Sequence, residues 1–213
     1  MSWSARTLPA TAMGTSSMRN VEREKLFEAA AYFVRHTKHC GLVKLFKLLY
    51  FLDMLNFRET GRKVTGLDYT ALPYGPVPLS LYNEFNAPQG DLAEAFEIKQ
   101  PPRKEEQTKP PATIISPKKP ETDRYLSVRE KRICKELADI FEEATADQMS
   151  EVSHAKGGPW DKAQSKSPGV WKQMIDIFDA LSPTLKMGSG KALSKDLLKA
   201  RAAEFEEDKR AFG

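Results

Sequence analysis

Cysteine is scarce in this chain of 213 residues, which has two. Cys40 and Cys134 lie far apart and form no CxxC pair of the kind found in zinc ribbons and thiol redox motifs. His36 and His39 lie close to Cys40, but a structural zinc ion needs four ligands and no further ligand motif is near them. We therefore expect no metal site, and the cysteine usage suits a reducing compartment such as the cytoplasm.

Long apolar runs are also missing from the sequence. A membrane-spanning helix needs roughly 20 consecutive apolar residues. The richest run, residues 42–57, is interrupted by Lys44, Lys47, Asp53 and Asn56. We therefore expect a soluble protein that does not insert into a membrane.

The chain also lacks a large excess of either charge sign. It has 33 basic and 29 acidic residues, which give a formal net charge of +4. Basic residues such as Lys109 and Lys118 are diluted by Glu105, Glu106 and Glu121. Nucleic-acid-binding proteins instead concentrate positive charge on one face, often with aromatic side chains between the basic ones. The charge pattern therefore argues against a nucleic-acid partner.

Apolar residues at helical spacing are abundant, and they predict most of the fold. They indicate a first helix from Asn20 onward, after a disordered leader at 1–19. Residues 42–57 are apolar almost all round the helical wheel, so we expect them to run through the middle of the core. A capping box of Ser127 and Glu130 predicts a further helix of about 17 residues. The inward stripe of this helix is predicted to comprise Ile133, Leu137, Ile140, Phe141 and Ala144.

Short extended segments and a proline-rich turn separate these helices. Residues 64–72 are rich in β-branched and aromatic side chains, and the segments 96–99 and 113–115 predict a hairpin beside them. Three prolines within 73–78 exclude a helix interior, although Pro78 suits the first position of a short helix. This short helix is predicted to carry Leu79, Tyr82 and Phe85.

The last third of the chain predicts two more core helices. One is short, runs through Met149 and Val152, and is stopped by the glycines and proline at 157–159. The other opens at Ser167 and Pro168. Its inward residues are predicted to be Trp171, Met174, Ile175, Phe178 and Leu181.

Together these segments predict a mostly α fold, a compact multi-helix domain around a buried central helix with a small antiparallel β element. We expect this domain at 20–182, with an exposed proline- and charge-rich insertion at about 100–121. Residues 183–213 are predicted to form a linker and a charged C-terminal helix.

Signatures of catalysis and of cofactor binding are weak. Residues 188–191 resemble the end of a phosphate-binding loop, but Ala192 stands where that motif needs Ser or Thr. His154, Lys156 and Asp161 could be drawn as an acid–base group, yet no hydrolase motif accompanies them and a capped loop end explains them. We therefore expect no enzyme and no cofactor.

Two tyrosines are candidates for contact with a partner. Tyr74 and Tyr82 flank a rigid turn that contains Gly75 and Pro76. Large amphipathic rings on a preorganised surface are favoured binding anchors. Packing in the core explains either ring equally well.

Several short segments resemble the SocA-like antitoxin domain, also called the Panacea domain. The first block consists of KLFKLLYFLD at 44–53, Thr-Gly-Arg at 60–62, Tyr-Gly-Pro-Val at 74–77 and Leu-Tyr at 81–82. The second block consists of Val-Ser-His at 152–154 and Pro-Trp at 159–160. The insertion at 100–121 and the two glycines before Pro159 depart from the compact pattern of the family.

The resemblance implies a bacterial or prophage antitoxin that neutralises a cognate protein toxin, encoded by an adjacent gene, through direct binding. We place its partner-binding surface at Tyr74, Gly75, Pro76, Tyr82, His154 and Trp160. One relative instead delivers its toxin to a Clp-type protease, so a proteolytic adaptor is the alternative. Two further classes compete, a nucleic-acid-binding repressor and a hydrolase that would use His154 and Asp161, and the sequence lacks the signatures of both.

Overall fold

Helix α2, Leu42–Thr60, occupies the centre of the fold in this computed structural model. The structure describes residues 14–102, 111–166 and 172–181, together with the single positions 196, 200, 203, 207 and 210. The other helices are α1 Gly14–His36, α3 Leu79–Asn86, α4 Gly90–Ala95, α5 Val128–Phe141, α6 Ala146–Ser153, α7 Pro159–Lys166 and a 3-10 helix at Ile177–Leu181. The strands are β1 Thr70–Leu72, β2 Gly75–Val77, β3 Phe96–Lys99, β4 Ile114–Pro117 and β5 Gln173–Met174. The predicted class, mostly α with a small antiparallel β element, is confirmed.

Helix α2 is buried on all sides, as the sequence predicted. Leu42 and every residue from 44 to 57 are buried, because α1, α5, α6 and the 3-10 helix all pack against it. The helix ends at Gly61, whose φ of 77° places it in the left-handed region that favours glycine as a helix cap. None of the helices in the described ranges is long and apolar enough to cross a membrane.

The four polar residues within 42–57 are buried, and two of them, Lys44 and Asn56, donate hydrogen bonds to backbone outside the helix. Lys44 Nζ donates hydrogen bonds to the carbonyl oxygens of Lys38 at 2.7 Å, Glu142 at 3.0 Å and Ala144 at 2.8 Å. A cation placed beyond the end of α5 also complements the partial negative charge at a helix C-terminus. Asn56 Nδ2 donates to the carbonyl oxygen of Arg62 at 2.9 Å, which fixes the chain as it leaves α2.

Asp53 organises the loop that follows α2. Its carboxylate accepts hydrogen bonds from the backbone N–H groups of Val64 at 2.7 Å and Thr65 at 2.9 Å. It also accepts the hydroxyls of Thr65 at 2.5 Å and Tyr69 at 2.9 Å. Burial raises the pKa of Asp53, and these donors oppose that shift because they stabilise the ionised form. We call Asp53, Val64, Thr65 and Tyr69 the Asp53 cluster.

The strands form two separate antiparallel sheets. One has the order β2-β1-β5, and the other pairs β3 with β4. The predicted hairpin of 96–99 with 113–115 is confirmed, with β4 displaced toward the C-terminus by one to two residues. The prediction that this hairpin lies beside 64–72 is wrong, because 64–69 is irregular backbone held by the Asp53 cluster and β1 pairs with β2 and β5 instead.

The predicted core helix from Ser167 to Leu181 is wrong within the described residues. Met174 lies in β5 and is exposed, and a short 3-10 helix replaces the C-terminal part of the prediction. Lys172 has a φ of 73°, outside the helical region, and its N–H donates to the carbonyl of Ala71 in β1. Pairing with a strand about a hundred residues earlier therefore overrides the local helical pattern. Ser167, Pro168 and Trp171 lie outside the described residues.

Other differences concern helix ends. Helix α1 begins at Gly14 and not at Asn20, since no proline interrupts the segment and extension of a formed helix is favourable. The capping box of Ser127 and Glu130 is confirmed, and α5 has 14 residues. Ile140, predicted to face inward, is 68% exposed because the buried row of α5 runs through Ile133, Leu137 and Phe141 at four-residue spacing, which leaves Ile140 at its edge. Helices α4 and α7 were not predicted, and residues 1–13, 103–110 and the C-terminal helix lie outside the described residues except at the single positions.

Candidate functional site

The turn between β1 and β2 presents a large aromatic side chain to solvent. Tyr74 is 79% exposed, and the next residue, Gly75, has a φ of 102° that an L side chain rarely adopts. The flanking strands pair in register from Leu72 with Gly75 to Thr70 with Val77, which fixes the turn from both ends. The chain therefore displays Tyr74 on a rigid support.

A buried lysine holds this turn from below. Lys47 of α2 is 1% exposed, and its Nζ donates a hydrogen bond to the carbonyl oxygen of Pro76 at 2.8 Å. A Cβ atom at Gly75 would lie 2.5 Å from Ser153 Oγ and 2.6 Å from Lys47 Nζ, which is closer than side chains pack. Position 75 therefore requires glycine for space as well as for backbone conformation.

Two aromatic rings brace the same turn from the side. The rings of His154 and Trp160 stack with centroids 3.7 Å apart and planes at 18°. Trp160 Nε1 donates to the carbonyl oxygen of Leu72, the last residue of β1, at 2.9 Å. The end of α6 and the start of α7 are thus joined to the strand that leads into the turn. We call Lys47, Pro76, Ser153, His154 and Trp160 the Lys47 cluster.

The electrostatics of this cluster follow from its burial. Burial lowers the pKa of Lys47 to about 7, since few groups replace the lost hydration of the ammonium. Burial, and then the charge of Lys47, lower the pKa of His154. His154 Nε2 is buried and has no hydrogen-bond partner among the described residues. Tyr50 Oη faces the backbone N–H of Trp160 but does not reach hydrogen-bond geometry.

A comparison with known protein families identifies the family of the chain. The model of the family described as antitoxin SocA-like, Panacea domain, matches residues 45–161, more than half of the chain. The chain belongs to this family. The matched range includes Lys47, the whole β1–β2 turn, His154 and Trp160. No match was found to a curated protein or to a solved structure.

Four of the six predicted partner-binding residues lie in or against the Lys47 cluster. Pro76, His154 and Trp160 are members of the cluster, and Gly75 packs against Lys47 and Ser153. Tyr74 extends from the same turn. Tyr82 lies on α3, where it is 42% exposed and its ring meets Phe46 edge to face with centroids 6.4 Å apart.

Two residues of the Lys47 cluster were not among the predicted site residues. Lys47 was visible as a charge inside an otherwise apolar run, which is the signal that could have marked it. Its partner, the carbonyl of Pro76, has no sequence signal because any residue carries a backbone carbonyl. Ser153 is buried against the position of Gly75 and hydrogen-bonds the carbonyl of Ser150 at 2.7 Å.

Two other candidate groups, those of Asp161 and His36, are engaged in structural contacts. Asp161 Oδ2 accepts the N–H of Gly157 at 2.8 Å, which caps the loop before α7. His36 stacks on Tyr32 and contacts Glu121 at 3.0 Å, and no group of three His, Cys, Asp or Glu suited to a metal occurs among the described residues. Residues 188–191, which resemble a phosphate-binding loop, lie outside the described residues.

Proposed function

We propose that this protein is the antitoxin of a bacterial type II toxin–antitoxin system and neutralises a cognate protein toxin by direct, non-catalytic binding. Membership of the SocA-like antitoxin family supports the role. The observation that carries the proposed mode of action is Tyr74, a large aromatic side chain that is 79% exposed on a braced turn. Tyrosine is enriched among the few residues that dominate protein–protein binding energy.

The rigidity of the turn supports binding because ordering a flexible loop would reduce affinity. Three independent contacts hold the turn before any partner arrives: strand pairing with β1, the Lys47 bond to Pro76, and the Trp160 bond to Leu72. A preorganised surface loses less conformational entropy on association. We therefore assign Tyr74 to the contact itself, and Gly75, Pro76, His154 and Trp160 to its support.

The non-catalytic part of the proposal follows from the position of the titratable groups. Lys47 is almost fully buried and its ammonium already donates to Pro76. The His154 ring is covered on one face by Trp160. A general acid or base must reach the proton that it transfers, within hydrogen-bond distance of a substrate. In our proposal these groups shape the surface and do not react.

Co-expression with the product of the adjacent gene tests the proposal. We expect that product to be toxic alone, and to be harmless and to co-elute when this protein is present. Tyr74→Ala should weaken the complex by about thirtyfold or more, as loss of a dominant interface residue does. The exposed Val128, at the start of α5, offers a control, and Val128→Ala should bind normally. An adjacent product that is harmless alone and never co-elutes would refute the proposal.

The level of the toxin in the same cells distinguishes direct neutralisation, or masking, from delivery of the toxin to a Clp-type protease. Direct neutralisation leaves the toxin at a constant level in a stable complex. An adaptor would instead shorten the lifetime of the toxin, and deletion of the protease would restore both the toxin level and its toxicity. We propose masking, and a toxin whose half-life falls when this protein is expressed would favour the adaptor.

A further inference from the structure

A cleft lies between α1, α5 and the segment that joins β4 to α5. It has two openings, with volumes of about 280 Å³ and about 390 Å³. Both are lined by Glu28, Glu121 and Thr122, so the two openings adjoin at these residues. The larger opening falls within the range of about 300–1,000 Å³ that is typical of ligand pockets.

Glu28 is a buried acid, and only one of its two carboxylate oxygens has a hydrogen-bond partner among the described residues. The residue is 8% exposed, and its Oε2 accepts the backbone N–H of Tyr125 at 2.8 Å. Its Oε1 is buried and has no hydrogen-bond partner within the described ranges. A buried polar atom without a partner costs free energy, and a carboxylate oxygen costs more than a neutral one. A donor from a bound ligand would therefore stabilise this atom.

The cations that line the larger opening do not supply that donor, because each contacts another acid. Lys131 pairs with Asp123 at 3.1 Å, and Lys135 pairs with Asp139 at 2.6 Å. On the same side of the cleft Arg132 pairs with Glu59, and His36 contacts Glu121. Lys25 pairs with Glu130 at 2.6 Å. In the smaller opening Arg35 donates to the carbonyl oxygen of Lys119, and the guanidinium of Arg124 lies 5.6 Å from the ring centroid of Tyr125. Among the described residues, no cation therefore donates a hydrogen bond to Glu28 Oε1.

The residues that line the cleft indicate which kind of donor would suit Glu28 Oε1. Since Oε2 is held by Tyr125, a single oxygen remains, which suits the compact ammonium of a lysine better than the two-pronged guanidinium of an arginine. Tyr32 lines the larger opening, and an aromatic wall attracts an ammonium ion. We propose that this cleft binds a primary alkylammonium group, with Glu28 Oε1 as its acceptor. This proposal does not depend on the proposed antitoxin role.

Titration of the full-length chain with small ammonium probes tests the site. The backbone amide of Tyr125 reports on it in an NMR spectrum, because that N–H donates to Glu28. The probes are Nα-acetyl-lysine methylamide, which represents a lysine side chain of a partner protein, and spermidine, which represents a free polyamine. The Nε-acetylated form of the lysine probe keeps the same four-carbon stem and replaces the charged ammonium with a neutral, bulkier amide. We expect a saturable shift with an ammonium probe and none with the acetylated form.

Matched variants assign the binding to Glu28. Glu28→Gln keeps an oxygen for the Tyr125 N–H and removes the charge, so it should weaken binding about tenfold or more. Glu151→Gln, an exposed acid on α6, should leave binding unchanged. Binding of spermidine alone would assign the site to polyamines. The proposal is overturned if neither ammonium probe binds, if the acetylated form binds equally well, or if Glu28→Gln binds like the unchanged chain. If Glu28→Gln does not fold, the comparison of the charged and the acetylated probe on the unchanged chain still tests the proposal.

Discussion

The Asp53 cluster and the Lys47 cluster both attach to α2, and they differ in how completely their hydrogen bonds are made. Asp53 accepts four donors from three residues that lie 11 to 16 positions later in the chain. Lys47, by contrast, donates to one described acceptor, the carbonyl of Pro76. Beside it, His154 Nε2 has no hydrogen-bond partner among the described residues.

This difference teaches which of the two clusters serves the fold and which serves the proposed surface. A fully satisfied buried network adds stability and fixes one conformation, whereas incompletely satisfied groups are found mostly where function requires them. The Asp53 cluster ties a loop that we expect to have no partner. The Lys47 cluster supports the turn that displays Tyr74. The following predictions test this division, in order of decreasing effect.

Loss of Asp53 should have the largest effect on stability. Asp53→Ala leaves the N–H groups of Val64 and Thr65 and the hydroxyl of Tyr69 buried without an acceptor, at about 1–3 kcal/mol each. We expect the free energy of unfolding, measured in urea, to fall by roughly 3–5 kcal/mol. Asp139→Ala on α5 removes only an exposed ion pair and should change it by less than about 0.5 kcal/mol. Equal losses in the two variants would remove the distinction between the clusters.

Loss of Trp160 should be the next largest effect. Trp160→Ala removes a partly buried ring, its stack on His154 and its bond to Leu72, for which we expect roughly 2–4 kcal/mol. Trp160→Phe keeps an aromatic ring and loses the bond alone, at about 1 kcal/mol. Chemical denaturation measures both. A Trp160→Ala protein with unchanged stability and no toxin binding would move this residue from the support to the contact surface.

Replacement of Lys47 should change how stability depends on pH. Its pKa is about 7 in the folded chain, against about 10.4 for an unfolded lysine. Between these values the unfolded chain binds more protons, so the free energy of unfolding rises with pH by up to about 1.4 kcal/mol per unit from this group. Lys47→Met should remove that rise between pH 7 and 9, while the exposed Lys156→Met should retain it. If the free energy of unfolding of Lys47→Met still rises between pH 7 and 9, another titratable group causes the rise.

Replacement of Tyr74 should have the smallest effect on stability and, under our proposal, a large one on binding. Its side chain is mostly exposed, so Tyr74→Ala should change the free energy of unfolding by less than about 0.5 kcal/mol. Thermal unfolding together with toxin binding measures both properties on one sample. A marked loss of stability in Tyr74→Ala would mean that the ring supports the turn, and the division between contact and support would fail.

Sequence reasoning succeeded where the signal is local. The apolar wheel of 42–57 and the capping box at Ser127 specify their helices without reference to the rest of the chain, and both are confirmed. The segment after Ser167 failed because β5 exists through pairing with β1, so its local pattern could not reveal it. At the site, the family resemblance supplied the turn and the Pro-Trp pair, but not the bond from Lys47 to a backbone carbonyl 29 residues away.

The hydrogen bonds of Lys44 can be completed only late in synthesis of the chain. Two of them, on Glu142 and Ala144, are 98 and 100 residues further along the chain than Lys44. A ribosome that adds about 5–20 residues per second needs roughly 5 to 20 seconds to make that stretch. During this interval α2 has been synthesised while α5, which covers it, has not. Helix α2, which is mostly apolar, therefore has only part of its surface covered until α5 and the later helices have been made, and a chain that stops before α5 should aggregate or be held by chaperones.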